Sequence, residues 1–143
     1  MAHEELRLDN QLCFPLYACS HALTRAYKPL LDPHGLTYTQ YLTMMALWEQ
    51  DGISVRELGA RLYLDSGTLT PLLRKLESKG LLVRGRDDTD ERRRTITLTE
   101  AGRALEDAMV DVPRCMAASL PLSPTESKEL YHLLRKMMLR MGT

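Results

Sequence analysis

The side chains that could do chemistry in this 143-residue chain are three thiols, Cys13, Cys19 and Cys115, and a dense run of charge between Gly85 and Arg94. The thiolate is the form of cysteine that attacks an oxidant, and a helix N-terminus or a nearby cation favours it. Asp9 or Asn10 can cap a helix starting near Gln11, which would put Cys13 in its first turn. There the unfilled N–H groups and the positive end of the helix dipole attract an anion. No Lys, Arg or His lies within one helical turn of Cys13, so neutral donors such as tyrosine hydroxyls are the natural substitute. Cys19 is six residues on, about 9 Å of helical rise, whereas a disulfide needs Cα atoms within about 7 Å. Those two thiols therefore cannot bridge without unwinding the helix, and Cys19 is expected to be a packing residue. The spacing of the cysteines and the four histidines matches no zinc motif, so neither a metal nor a cofactor is expected.

Composition bounds the elements that must position these groups. The length suits one domain, 44% hydrophobic residues can build a core, and 27% charged residues is ordinary. Net charge is zero, which argues against a non-specific polycation. From Arg74 to Arg103, however, nine Lys or Arg face six Asp or Glu, so charge is locally basic where phosphate contact would need it. No apolar run approaches the roughly 20 residues of a membrane span, and the start MAHEELRLDN has no secretory character. A cytoplasmic location is expected, with thiols reduced at rest.

Along the chain, the first helix should end before Asp32-Pro33, with Gly35 in the loop. Thr37 with Gln40, Ser54 with Glu57, and Ser123 with Glu126 are three candidate capping boxes, opening helices over TYTQYLTMMALWEQ, VRELGARL and ESKELYHLLRKMMLRM. Tyr63-Leu64-Asp65 makes a turn into the helix GTLTPLLRKLESK, which Gly80 closes. Leu81–Arg84 and Thr95–Leu98 read as strands around a long charged tip, Gly85 to Arg94. Thr99 caps a further helix that Pro113 should kink or break. Leu130, Leu133, Leu134, Met137, Met138 and Met141 exceed what one small core requires, so the terminal helices are expected to pair two copies.

Two short helices, a tight turn and a charged hairpin between Ile53 and Leu98 suit a winged helix-turn-helix. Such a motif lays its second helix in the major groove of DNA and reaches along the backbone or into the minor groove with the hairpin. The expected architecture is one domain, 1–143, mainly α with a small β-hairpin wing. The winged helix-turn-helix would occupy 53–98, with dimerisation helices at 9–35 and 100–141. On the second helix, Ser66, Thr68, Thr70 and Arg74 are the polar side chains that could reach base edges, and Lys75 or Lys79 suit phosphate. Leu69, Leu72, Leu73 and Leu76 should face the core. Arg86, Arg93 and Arg94 would neutralise phosphates from the hairpin.

The segments LDNQLCF, AYKPLL, GLTYTQYLTMMALWE, LDSGTLTPLLRKLESKGLL and DERRRTITLTEAG resemble the multiple-antibiotic-resistance-regulator (MarR) family over about residues 8–140. The pairing of LDNQLCF with GLTYTQY resembles its organic hydroperoxide resistance repressors. That resemblance implies a homodimer that binds a palindromic operator on double-stranded DNA when reduced. It implies release when one N-terminal cysteine, here Cys13, is oxidised by an organic hydroperoxide. Tyr27 and Tyr38 match the family's thiolate-binding tyrosines, contributed by the partner subunit, and Tyr17 matches a third nearby tyrosine. Asp90-Glu91-Arg92 matches its wing tip, where the arginine enters the minor groove and the aspartate fixes its geometry. Some members resolve the oxidised cysteine with a thiol on the partner's later helix, for which Cys115 is the candidate. Others use a low-molecular-weight thiol.

Two rivals follow from the same residues. One keeps the regulator but has a small phenolic ligand, not cysteine oxidation, release the DNA. The other is an enzyme, a thiol peroxidase; against it, the sequence has no CxxC pair and no Arg near Cys13.

Overall fold

A computed structural model describes residues 3–87 and 90–142, and for 86, 87 and 90–93 the backbone alone. Two 3₁₀ turns, Glu4–Leu6 and Leu8–Asn10, lead into α1 (Cys13–Leu31), and a third, Asp32–His34, ends it. Then come α2 (Tyr38–Glu49), β1 (Ile53–Ser54), α3 (Val55–Leu62), α4 (Ser66–Ser78), β2 (Leu82–Asp87) and β3 (Asp90–Leu98). The chain closes with α5 (Glu100–Met109), α6 (Asp111–Ser119) and α7 (Pro124–Met141). The sheet is antiparallel in the order β1-β3-β2, with Ile53 opposite Ile96 and Leu82 opposite Leu98.

The expected cap of α1 is corrected. Leu12 occupies the N-cap with no side-chain cap bond, because the polar residues before it are used upstream. Asn10 Nδ2 donates to the Glu4 carbonyl at 2.8 Å, and Gln11 Nε2 to those of Glu5 and Arg7 at 2.7 and 2.9 Å. The helix therefore starts two residues later than expected, with Cys13 as its first residue and Pro15 at the third, where no N–H is needed.

The capping boxes at Thr37/Gln40 and Ser123/Glu126 are both reciprocal. Ser54 accepts from the Glu57 N–H at 3.1 Å, but its hydroxyl, not its backbone N–H, meets the Glu57 carboxylate. Thr99 caps α5 through the Gly102 N–H at 3.0 Å. The break near Pro113 falls at Val110. The proline ring displaces the carbonyl four residues back, that of Met109, the last residue of α5.

The expected long tip of the hairpin is also corrected. The strands continue through the charged residues to Asp87 and Asp90, which pair across the ladder, with an irregularity between Gly85 and Asp87. Main-chain hydrogen bonds carry an arm like this without alternating apolar residues, because it needs no buried face. Strand β1 has only two residues, too few to leave a periodic pattern.

Core residues come from every element of the reader: Met44 and Leu47 on α2, Leu58 on α3, Leu69, Leu73 and Leu76 on α4, Leu82 and Ile96 on the sheet. Met109 and Val112 close it from α5 and α6. The ends of the chain are different. Of α1 only Leu31 is buried, and of α7 no residue is. Among the described residues no helix is long and apolar enough to cross a membrane.

Candidate nucleic-acid interface and thiol site

The reader is built around a close approach. A Cβ on Gly59 would stand 2.9 Å from the Leu64 carbonyl oxygen, so glycine lets the turn fold back on α3. Tyr63 turns the chain with a left-handed backbone, φ 56°, and the Leu64 N–H reaches the Gly59 carbonyl at 3.0 Å. Asp65 then caps α4, accepting from the Thr68 N–H at 2.7 Å. That bond, with further ones from the Thr68 hydroxyl and the Gly67 N–H, holds the Asp65 carboxyl below its ordinary range.

On α4, Leu69, Leu72, Leu73 and Leu76 are buried as the 3.6-residue period requires. Ser66, Thr68, Arg74 and Lys75 lie exposed on the other side, and Thr70 is half-buried at its edge. Lys79, expected at phosphate, is engaged within the chain: its ammonium donates to the Gly35 carbonyl and to Gln40 Oε1. The start of the wing is fixed to α4 by Glu77. Its carboxylate accepts from the Arg84 N–H at 3.0 Å and from the guanidinium at 3.2 and 3.4 Å. The Arg84 N–H is the largest cause holding the Glu77 carboxyl below its ordinary range. Arg94 is exposed on β3. The side chains of Arg86, Asp90, Arg92 and Arg93 lie outside the described residues.

Cys13, Cys19 and Cys115 are all free and exposed. Cys19, expected to be a packing residue, has nothing from its own chain over it in a single copy. Tyr17, one turn after Cys13, is 63% exposed and meets His21 edge to face at 4.5 Å between ring centroids. Tyr27 and Tyr38 do come together, with centroids 4.7 Å apart. Tyr41 completes a trio at 5.7 Å from Tyr27 and 6.4 Å from Tyr38. Burial pushes all three phenols up, Tyr41 to about 12, so at neutral pH each keeps its proton and can donate it in a hydrogen bond. Beside Tyr27 and Tyr38 opens a cavity of about 250 Å³ with Leu23, Met116, Leu130 and Leu134 among its walls.

Cys13 is not part of that cluster. Fourteen residues of helix separate it from Tyr27, about 21 Å of rise, so one copy of the chain cannot join the thiol to the tyrosine pair. Tyr41 escaped the sequence reading, although its three-residue spacing from Tyr38 puts both on one side of α2.

A turn-tightened helix pair whose exposed second helix is tied to a charged hairpin, carried between long terminal helices, defines a winged helix-turn-helix transcriptional regulator of the MarR type. The pattern of the family "Transcriptional regulator SarA/Rot" matches residues 25–109. The chain belongs to that family, and its type is that of the organic hydroperoxide resistance regulators. It is 46% identical over 130 residues to the "Organic hydroperoxide resistance transcriptional regulator" of Bacillus subtilis (strain 168), covering 91% of this chain and 86% of that one. The "HTH-type transcriptional regulator TtmR" of Methylorubrum extorquens (strain PA1) is 48% identical over 130 residues, covering 91% and 67%. Among solved structures, reduced AbfR bound to DNA superposes with a TM-score of 0.83 at 34% identity, covering 99% of this chain and 97% of that one.

Proposed function

We propose that this chain acts in the cytoplasm as a homodimeric repressor. It holds a palindromic operator while Cys13 is reduced and releases it when an organic hydroperoxide oxidises that residue. The observation that carries this reading is the place of Cys13. It is exposed, it is the first residue of α1 with no side-chain cap, and it lies about 21 Å from a tyrosine pair able to donate hydrogen bonds. Pairing through 9–35 and 100–141 would bring the thiol of one copy to Tyr27 and Tyr38 of the other, with Tyr17 at its side. The printed name of the Bacillus subtilis relative supports the inducer, and the DNA-bound AbfR supports the partner.

In the reader's role, Ser66, Thr68, Thr70 and Arg74 face base edges and Lys75 meets phosphate. On the wing, Arg92, positioned by Asp90, enters the minor groove while Arg86, Arg93 and Arg94 neutralise backbone charge.

The chemistry is a two-electron oxidation. The Cys13 thiolate attacks one peroxide oxygen, the O–O bond breaks, and the alkoxide leaves and takes up a proton as the alcohol. Cys13 becomes a sulfenic acid. A second thiol, Cys115 of the other copy or a small-molecule thiol, then forms a disulfide at that sulfur and water leaves.

In an operator gel shift with cumene hydroperoxide, the native dimer should let go and Cys13→Ser should stay bound. Release of Cys13→Ser at the native dose would refute the sensor. Non-reducing electrophoresis of Cys115→Ser separates the two resolving routes. The cavity beside Tyr27 favours a second reading, release by a phenolic ligand. Salicylate that releases Cys13→Ser as well as the native protein would establish it.

A further inference from the structure

Between the tyrosine cluster and the reading helix runs a chain of polar contacts made by residues far apart in sequence. Lys79 is the C-cap of α4, and its ammonium reaches back 44 residues to the Gly35 carbonyl and 39 residues to Gln40 Oε1, at 3.0 Å from the latter. Gln40 is only 2% exposed. Its Oε1 also accepts from the Thr37 N–H at 3.1 Å, so both lone pairs of that buried oxygen are occupied. Thr37 Oγ1 in turn accepts from the Gln40 N–H at 3.3 Å. This reciprocal box holds the first turn of α2, and the first residue of that turn is Tyr38. Gly35 caps the 3₁₀ turn that ends α1, the helix that carries Tyr27.

A lysine at the surface gives up rotamer freedom when its stem is fixed. Here it meets two neutral oxygens, one of them buried, and no carboxylate among the described residues. The bonds are charge-assisted and therefore stronger than neutral ones. Lys79 thus clasps the two segments that present Tyr27 and Tyr38. A shift of Tyr38 would reach the turn that Lys79 grips, and with it the C-terminal end of α4, the helix whose first turns carry Ser66, Thr68 and Thr70.

We propose that Lys79 is the coupling residue of the regulator: through Gln40 and Gly35 it passes the arrangement of the Tyr27–Tyr38 pair to α4. It touches neither the oxidant nor the reacting sulfur, so it is a positioning residue. This inference rests on the reading of Cys13 as the sensor. It predicts a particular defect, a protein that senses and binds but does not connect the two.

The test uses the full-length dimer and three readouts on each variant. These are the intact mass after one equivalent of cumene hydroperoxide, operator affinity when reduced, and operator affinity after oxidation. Lys79→Met keeps the stem and removes the donors. It should show the same oxidation-dependent mass change as the native chain, whether one added oxygen or the disulfide that replaces it, and bind the operator within about threefold when reduced. Its peroxide-induced loss of affinity should be at least about fivefold smaller, the lower end of ordinary allosteric coupling. Lys79→Arg, which restores donors, should recover most of the native response and serves if the methionine variant fails to fold. A purely structural lysine would lower reduced and oxidised affinity by the same factor. That result, or an unchanged peroxide response in Lys79→Met, overturns the proposal. If the native chain releases DNA while Cys13 stays a free thiol, neither oxygenated nor in a disulfide, the sensor reading falls first and this inference with it.

Discussion

Adding one methyl group at Gly102 should unfasten the reader from the rest of the chain. Gly102 is the third residue of α5, buried against the residue that leads into β2. A Cβ there would lie 2.0 Å from the Leu81 carbonyl oxygen, 3.1 Å from its carbon and 3.3 Å from Leu98 Cδ2. Carbon and oxygen ordinarily approach no closer than about 3.3 Å, so something must retreat by about 1.3 Å. The carbonyl cannot swing aside freely, because it accepts from the Thr99 N–H at 3.1 Å. Thr99 is itself held by its hydroxyl on the Gly80 carbonyl at 2.6 Å. If α5 retreats instead, it draws the Gly102 carbonyl away from Trp48 Nε1, now at 2.9 Å. Overpacking of this kind costs about 1–3 kcal/mol and a lost buried hydrogen bond about 1 more, while alanine returns up to about 1 through helix propensity. The net is about 2–3 kcal/mol. For a chain of this size that lowers the melting temperature by roughly 4–12 °C, measured by calorimetry at fixed protein concentration. Gly59→Ala supplies the scale: its Cβ meets the Leu64 oxygen at 2.9 Å, a far smaller overlap, and should cost about 1 kcal/mol. A Gly102→Ala protein melting within 2 °C of native (on the order of 0.5 kcal/mol), or above Gly59→Ala, would refute the packing argument.

Two more predictions concern the reader. Asp65→Ala removes the cap of α4 and should lower the midpoint of urea unfolding, whereas Asp65→Asn, which can still accept from Thr68, should lower it little. Equal losses would show that the cap bond is not what stabilises the helix start. Glu77→Gln should cost about 1 kcal/mol at neutral pH, since the carboxylate is about a third exposed and solvent weakens its bond to Arg84. The folded carboxyl titrates below its ordinary 4.5, so its contribution is present above that pH and fades as acid carries the protein through the lower, folded value. The gap between native and variant stabilities should therefore narrow as pH falls below 4.5; a gap that stays constant as the protein is acidified would contradict the assignment.

Much of the architecture was legible because it is written locally. The bounds of α3 follow from Ser54 and the period of VRELGARL, and α4 shows its core face in Leu69, Leu72, Leu73 and Leu76. The break before Pro113 follows from the proline ring alone. Where local signals misled, a distant partner had taken the side chain. Asn10 can cap a helix, yet it bonds back to Glu4. Lys79 suits phosphate, yet it spans 44 residues to Gly35. The tyrosine trio depends on how α1 and α2 cross, which no spacing within either helix fixes. The strands ran further than expected because ladder hydrogen bonds ignore the charge of the side chains they carry.

The terminal helices argue for a second copy on energetic grounds independent of any thiol. Helix α7 has 18 residues and a complete capping box, yet none of its residues is buried. Most helical stability in proteins comes from packing an apolar face, and a cap adds only about 1 kcal/mol. Its apolar side is only partly covered by its own chain, with Leu130 43%, Leu133 57% and Met141 67% exposed. The same chain holds Cys13 and the tyrosine pair too far apart to meet. These are two separate deficits of one copy, and both would disappear under the proposed pairing of α1 and α7 of two copies. That pairing makes the dimer interface the place where oxidation would be felt, since a changed sulfur at the start of α1 would then press on the other copy's Tyr27 and Tyr38.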